Sequence, residues 1–169
     1  MKLYTIIGGI NGCGKSSFSG VLHALVSNLG ETARGRDALS QIEQWIGEGL
    51  SFTQETTLIG GRNLQTIRRA KEAGYTIRLY YIALSSAAEC VRRIRSRAQR
   101  GGHDVLEEDV QRRFAERIPA LVRVLPLCDE AVLFDNENGF VAVGKWKDGA
   151  LTPLTDHPPD WFQELQSAL

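Results

Sequence analysis

The sequence predicts a three-layer αβα fold, a mostly parallel sheet with helices on both faces and a helical lid. Three observations predict it. Residues 3–7 form a nearly continuous apolar run closed by Gly8, as a strand buried on both faces reads. Thr76–Leu84 is rich in β-branched and aromatic residues and has the character of a central strand. Around these two, strand-like and helical segments alternate, the pattern of crossover connections over a parallel sheet. The 169 residues fit one domain spanning 1–169. A chain of that size buries roughly 68–70% of its unfolded surface, so its core needs no disulfide or metal staple.

The elements follow in order. After the first strand a Gly-rich loop leads into a helical stretch from Lys15 to about Asn28. Asp37–Gly49 carries Leu39, Ile42, Trp45 and Ile46 at helical spacing and is closed by Gly. Ser51–Glu55 reads as a short strand, and Leu64–Ala73 as a helix with Gly74 as its C-terminal cap. Ser86-x-x-Glu89 is a capping box that opens an Arg-rich helix running to Arg100. Gly101-Gly102-His103 breaks that helix, and Asp104-x-x-Glu107 caps the next. Ala131–Asp135 is a further strand, Phe140–Trp146 with Leu151 a small hairpin, and Trp161–Leu169 a short helix after Pro158-Pro159. The lid then covers about 86–125, and the hairpin and terminal helix about 139–169. No convincing strand falls between the first helix and Asp37, where only Leu25-Val26-Ser27 is available.

Composition narrows the function classes. No apolar run approaches the ~20 residues of a membrane span, and the opening Met1–Gly8 stretch is too soon interrupted for a signal peptide. Cys13, Cys90 and Cys128 are odd in number and far apart, which argues against a disulfide framework or a zinc site and for a reducing cytoplasm. Net charge is zero, yet residues 124–169 carry −6 and the rest +6, with 15 Arg among the 20 cations. Arg recognises phosphate and carboxylate through a planar fork, so the front of the chain suits a phosphorylated ligand. RNA binding is disfavoured because no aromatic stacking motif accompanies the arginines.

Gly9-Ile10-Asn11-Gly12-Cys13-Gly14-Lys15-Ser16 matches the phosphate-binding loop pattern G-x-x-x-x-G-K-[ST] at every fixed position. It also sits where the mechanism needs it, after a strand and opening a helix. Glycines let the backbone curl so that successive N–H groups face a phosphate, and the helix start adds its positive dipole end. Gly9, Asn11, Gly12, Cys13, Gly14, Lys15, Ser16 and Ser17 are the expected nucleotide-binding residues. Lys15 reaches the β and γ oxygens, and the Ser16 hydroxyl is the expected Mg²⁺ ligand. Glu55 ends a strand near the ligand-binding edge of the sheet, where it serves either a metal-bound water or a substrate hydroxyl. Two Arg-rich helices joined by a Gly-Gly hinge form a lid, and at least one of Arg100, Arg112 and Arg113 is expected to touch phosphate. His103, in the hinge, is equally a turn residue or a site residue.

With these residues assembled, the sequence resembles the zeta-toxin-like family of small P-loop kinases. The resemblance runs through Gly-Gly-x-Asn-Gly-x-Gly-Lys-Ser at 8–16, Phe-x-x-Glu-Thr-Thr-Leu at 52–58, Ala-Gly-Tyr at 73–75, Gly-Gly-His-Asp-Val-x-Glu-Glu-Asp-Val at 101–110, Arg-Arg-Phe at 112–114 and Phe-Asp-Asn at 134–136. It implies an ATP-dependent kinase, with Lys15 and Ser16 on the nucleotide and Mg²⁺. Glu55, Thr57 and Arg62 then face a small-molecule acceptor, and Arg100, His103, Arg112 and Arg113 belong to the lid over the γ-phosphate. The toxins of the family phosphorylate UDP-N-acetylglucosamine on a sugar hydroxyl, and an antitoxin protein is the partner the resemblance implies.

One departure bears on catalysis. The family carries Asn-x-Asp-Glu after its second strand, and its Asp acts as base toward the acceptor. Asn28, Glu31 and Arg34 fall into that register here, but Gly30 occupies the Asp position. Glu31 is therefore the first candidate for the catalytic carboxylate and Asp37 the second. The alternative is a nucleotide-binding module of the same fold without efficient transfer.

Overall fold

The computed structural model describes residues 1–169. Seven strands form one sheet: β1 (Leu3–Gly8), β2 (Glu31–Ala33), β3 (Phe52–Thr56), β4 (Thr76–Ala83), β5 (Glu130–Asp135), β6 (Val141–Lys147) and β7 (Ala150–Pro153). Their spatial order is β2-β3-β1-β4-β5-β6-β7, with every pair through β5 parallel and the last two pairs antiparallel. The helices are α1 (Lys15–Leu25), α2 (Ala38–Glu48), α3 (Gly61–Glu72), α4 (Ala87–Ala98), α5 (Glu107–Val124) and α6 (Asp160–Ala168), and a 3₁₀ turn follows α5 at Leu125–Leu127. The layered, mostly parallel architecture is the one the sequence predicts.

Period-two alternation along the strands divides the core between the two faces. On β1, Tyr4 and Ile6 point to the face covered by α2, α3, α5 and α6, where Ile42, Ile67, Leu121 and Phe162 join them in one cluster. Ile7 points to the opposite face and packs with Phe18 and Leu22 of α1 and Val91 and Ile94 of α4. Both faces are apolar because both are covered, which is why β1 and β4 read as near-continuous hydrophobic runs. Each fully buried aliphatic side chain contributes about 1.5–3 kcal/mol.

Local signals hold at most boundaries. Gly74 (φ 84°) ends α3, its N–H bonding Lys71 O at 2.9 Å while Tyr75 N bonds Ala70 O at 3.0 Å. That paired arrangement satisfies carbonyls the helix end leaves open. Ser86 Oγ accepts from Glu89 N at 3.2 Å, the expected first arm of the capping box. The return arm does not form, because the Glu89 carboxylate is taken by Arg92 and Arg93. At Asp104 the expectation fails: Leu106 is the N-cap of α5, and Asp104 Oδ1 accepts from its neighbour Val105 N at 2.9 Å instead. The Arg-rich helix also stops at Ala98, two residues before Arg100.

The main correction lies between α1 and α2. Helix α1 ends at Leu25, with Val26 already extended, and a strand does occur downstream, β2 at Glu31–Ala33. It holds three residues at the sheet edge with only Ala33 buried, so it has no hydrophobic pattern to announce it. Gly30 leads into it at φ +68°, and a β-carbon there would lie 1.8 Å from Ser51 O. Only Gly fits this approach of one backbone to another. Position 30 is thus a backbone pivot, and no side chain from it can serve a site. Gly30→Asp is therefore expected to lower stability by about 2 kcal/mol or more, through strain and overpacking together. Thermal denaturation of the variant checks this; a melting temperature within a degree of wild type overturns the placement.

Candidate functional site

The carboxyl ends of β1 and β3 meet the start of α1 and the facing sides of α4 and α5 at a cleft of about 1010 Å³. Open parallel sheets bind their ligands at this edge. Six cationic side chains line the cleft, Lys15, Arg34, Arg93, Arg97, Arg112 and Arg113, against a single carboxylate, Glu55. Such a lining focuses a positive potential inward and selects an anionic ligand.

The phosphate loop is built as its sequence requires. Gly12 adopts φ +84°, and a β-carbon there would sit 2.5 Å from Cys90 O, so the loop passes close over α4 only because that position is Gly. Its start is tied to β3 by Gly9 N bonding Thr56 O at 3.2 Å. Its far side is tied to β5 by Asn136 Nδ2 donating to Cys13 O at 2.9 Å. Lys15 Nζ curls back across the loop and donates to Gly9 O at 2.7 Å and Ile10 O at 3.4 Å. Arg113 Nη1 donates to Asn11 Oδ1 at 2.8 Å, bringing α5 down onto the loop. Asn11, Gly12, Gly14, Lys15, Ser16 and Ser17 face the cleft. Gly9 and Cys13 do not line the cleft, and their N–H groups bond Thr56 O at 3.2 Å and Ile10 O at 3.1 Å. The Cys13 thiol is buried, and burial pushes its pKa up, so it is an inert packing group.

Glu55 closes the floor opposite the loop. Its side chain is 7% exposed. Oε2 accepts from Ser16 Oγ at 3.0 Å. Arg34 Nη2, from the residue after β2, lies 3.0 Å from Oε1, but the contact is not an aligned hydrogen bond and Oε1 keeps no hydrogen-bond partner. A buried carboxylate oxygen left this way is costly unless a ligand completes it.

The structure places Lys15, Glu55, Thr57, His103, Arg112 and Arg113 in one cleft. It leaves out others. Glu31 opens β2 opposite Phe52, at the far end of the strands from Glu55, and is exposed. Asp37 is an exposed residue at the start of α2 and also stands outside the cleft. Arg100 lies beyond the end of α4 and donates to Ser96 Oγ at 3.1 Å, away from the phosphate loop. Arg62 lines a separate groove with Glu43 and Arg69, on the outer side of α3. The arginines that do face the loop from α4 are Arg93 and Arg97, and Arg34 faces it from just after β2; sequence reasoning missed the first two and placed Arg34 in the family register without giving it a role. Helical spacing marks Arg93 and Arg97 as one face of α4, four residues apart.

Arg93 is held for this work from two sides. Its Nε donates to Glu89 Oε1 at 2.7 Å and its Nη2 to Asn136 O at 2.9 Å. Hydrogen bonds from Arg92 and Arg93 hold the Glu89 carboxyl down at about 2.

No family model matches the chain. An uncharacterized protein of Haemophilus influenzae (strain ATCC 51907 / DSM 11121 / KW20 / Rd) is 31% identical over 86 residues, 51% of this chain and 61% of that protein. A chain in a crystal structure of AvrRxo1-ORF1:-ORF2 with ATP superposes with a TM-score of 0.66 at 15% identity, over 98% of this chain and 63% of its own length. A chain of the PezAT chromosomal toxin–antitoxin system of Streptococcus pneumoniae superposes at 0.64 and 11% identity, over 99% of this chain and 84% of its own. The chain therefore shares the three-layer fold of these two toxin-system chains. It spans less than two thirds of the Haemophilus relative and of the AvrRxo1 chain.

A depressed carboxyl contributes to folding above its unfolded value near 4.5 and loses that contribution as pH falls through the folded value. The Glu89 carboxyl resonance is therefore expected to titrate at about pH 2, and loosening of the Arg93 bridge to set in only below about pH 4. A midpoint near 4.5 in an NMR titration overturns the Glu89–Arg92–Arg93 clamp.

Proposed function

We propose that this protein is an ATP-dependent phosphotransferase that moves the γ-phosphoryl group to a hydroxyl of a small molecule, for which a nucleotide sugar such as UDP-N-acetylglucosamine is the candidate drawn from the resemblance. The observation that carries the reading is the convergence of Arg93 and Arg97 from α4 with Arg112 and Arg113 from α5 on the cleft that holds Lys15 and Ser16. A helix start alone binds phosphate; four arginines gathered from two further helices suit a group whose negative charge spreads as it transfers.

In this reading the loop N–H groups cradle the phosphates, and Lys15 leaves Gly9 O and Ile10 O for the β and γ oxygens. The residues fit Mg²⁺: Ser16 Oγ already pairs with Glu55, whose other oxygen has no hydrogen-bond partner. No group of three or more His, Cys, Asp or Glu side chains assembles anywhere to hold a metal by itself, which matches an ion that arrives with nucleotide phosphates. When bound it neutralises charge between the β and γ groups. The protein's own part is positioning, since a loose transition state asks little covalent help.

The AvrRxo1 structure with ATP supports nucleotide binding, and the PezAT toxin–antitoxin system supports an antitoxin-like protein partner. Three free, buried cysteines fit a reducing, cytoplasmic setting, and no helix is long and apolar enough to cross a membrane. A second reading, nucleotide binding without efficient transfer, is favoured by one observation: the residue after β2 is Arg34, and no carboxylate but Glu55 faces the cleft.

Incubation with γ-labelled ATP, Mg²⁺ and a panel of hydroxyl acceptors separates the two. Label on an acceptor supports transfer; ATP binding without label supports the second reading. Lys15→Ala is expected to weaken ATP binding roughly 10–100-fold, the scale of a lost hydrogen bond to a charged group. Lys15→Arg is expected to fail as well, because a planar head does not fit a cradle built for a point charge. Unchanged affinity in Lys15→Ala, by calorimetry, sinks the nucleotide assignment.

A further inference from the structure

Arg34 and Glu55 form the one ion pair whose two members both line the cleft, and those members are unlike. The Glu55 side chain is 7% exposed and fixed on β3, whereas the Arg34 side chain is 56% exposed and stands one residue past the end of β2. The strands bring them together. Thr32 lies opposite Thr53 and Ala33 opposite Gln54 in the parallel ladder, and the next step along it sets Arg34 opposite Glu55. Each carboxylate oxygen then has a different neighbour. Oε2 accepts from Ser16 Oγ at 3.0 Å, while Arg34 Nη2 stands 3.0 Å from Oε1 with no aligned N–H, so charge attraction alone holds it there. Gly35 follows at φ +75°, and a β-carbon on it would meet nothing within 4 Å, so there is open space beside the guanidinium.

We infer that Arg34 is a resident counter-cation for Glu55, in competition with the divalent cation of a metal–nucleotide complex, and that it leaves the carboxylate when that complex binds. The inference rests on the nucleotide-binding part of the reading above and adds how binding at that site is regulated. A carboxylate buried this deeply is costly without a cation, so some positive charge must accompany it throughout. Arg34 is the only basic side chain that pairs with it. A Mg²⁺ held by Ser16 and Glu55 draws on the same negative charge, and two cations gathered on one carboxylate repel each other. The exchange favours the metal for a chemical reason. A guanidinium contact without an aligned N–H lacks the strength of a charge-assisted hydrogen bond, whereas carboxylate oxygens are the ligands a hard divalent cation takes. The Ser16 hydroxyl, by donating its proton to Oε2, keeps its lone pairs for a cation. Metal-free nucleotide brings no cation for Glu55 and leaves the pair intact. Arg34 thus lowers affinity for the metal complex alone, and the burial difference within the pair decides which member moves.

Calorimetry on the full chain tests this, with ADP in excess Mg²⁺ and ADP in EDTA as the two probes. Arg34→Met keeps the length of the stem and removes the charge at an exposed position. It is expected to bind the Mg²⁺ complex about 5-fold more tightly than wild type does, the upper end for an exposed ion pair, and metal-free ADP no more tightly. The sign is diagnostic, because losing a cation from an electropositive cleft otherwise weakens both forms. The gain is expected to vanish when Glu55 no longer carries a charge, so that Arg34→Met combined with Glu55→Gln binds the Mg²⁺ complex as Glu55→Gln alone does. Unchanged or weaker binding of the Mg²⁺ complex by Arg34→Met, equal tightening of the metal-free form, or a gain that survives Glu55→Gln overturns the inference. Binding of neither form by wild type or by Arg34→Met overturns the nucleotide assignment and this inference with it. Transfer is read separately, with γ-labelled ATP and the acceptor panel. A Mg²⁺-specific gain in Arg34→Met without label on any acceptor leaves this inference standing and overturns the phosphotransferase reading.

Discussion

The parallel register of β1 against β3 is the constraint on which the site depends. It sets Ile7 opposite Glu55 and Gly8 opposite Thr56, so the strand that feeds the phosphate loop and the strand that carries the carboxylate end together. From that pairing follows the hydrogen bond from Ser16 to Glu55, and the anchoring of Gly9 N on Thr56 O. A one-residue slip would send Glu55 to the other face of the sheet and leave Ser16 without its partner. The buried stack of Tyr4 on Phe52, with ring centroids 4.5 Å apart, resists such a slip from the opposite end of the same strands.

Charge is arranged around that register in two unequal banks. The phosphate-loop bank gathers Lys15 with four arginines from α4 and α5, and the β2 bank has Arg34 alone. Glu55 lies between them as the one negative group. Mutual repulsion among so many cations is offset in part by outside partners. Glu89 holds Arg93, Asp109 and Glu116 hold Arg112, and Asn11 accepts from Arg113. These contacts aim the guanidinium groups of Arg93, Arg112 and Arg113, so little ordering of them remains.

Much of this was legible in the sequence, and the illegible parts share a cause. The phosphate loop, the strands β1, β4 and β5 and the helices α2 and α4 were readable because glycines, apolar runs and helical periodicity act locally. Strand β2 was not, because three edge residues with one buried alanine owe their extended form to pairing with β3. With β2 in place, Glu31 and Asp37 both stand outside the cleft. Aligning Gly30 with a functional Asp assumed that the segment after α1 presents side chains to the site, whereas the site begins only at Arg34. Arg100 failed for a different reason: proximity in sequence to a hinge says nothing about which side of α4 a residue leaves from. Glu55 was found at its proper strand end, although its bond to Ser16 could only come from three dimensions.

The turn at Asn136-Glu137 joins several parts of the molecule. Asn136 holds the Cys13 carbonyl of the phosphate loop; the carbonyls of both residues receive Arg93 from α4; the Glu137 carboxylate receives Ser85 N just before that helix. Asp135, one residue earlier, accepts the Trp161 indole from α6. The turn is thus a mechanical junction at which the loop, the arginine-bearing helix and the C-terminal packing share one short piece of backbone. Any tilt of α4 that carried Arg93 toward or away from a phosphate would pull on the peptide that shapes the loop. In this molecule the arginine that faces the cleft and the loop that borders it are geared to each other through the turn that follows β5.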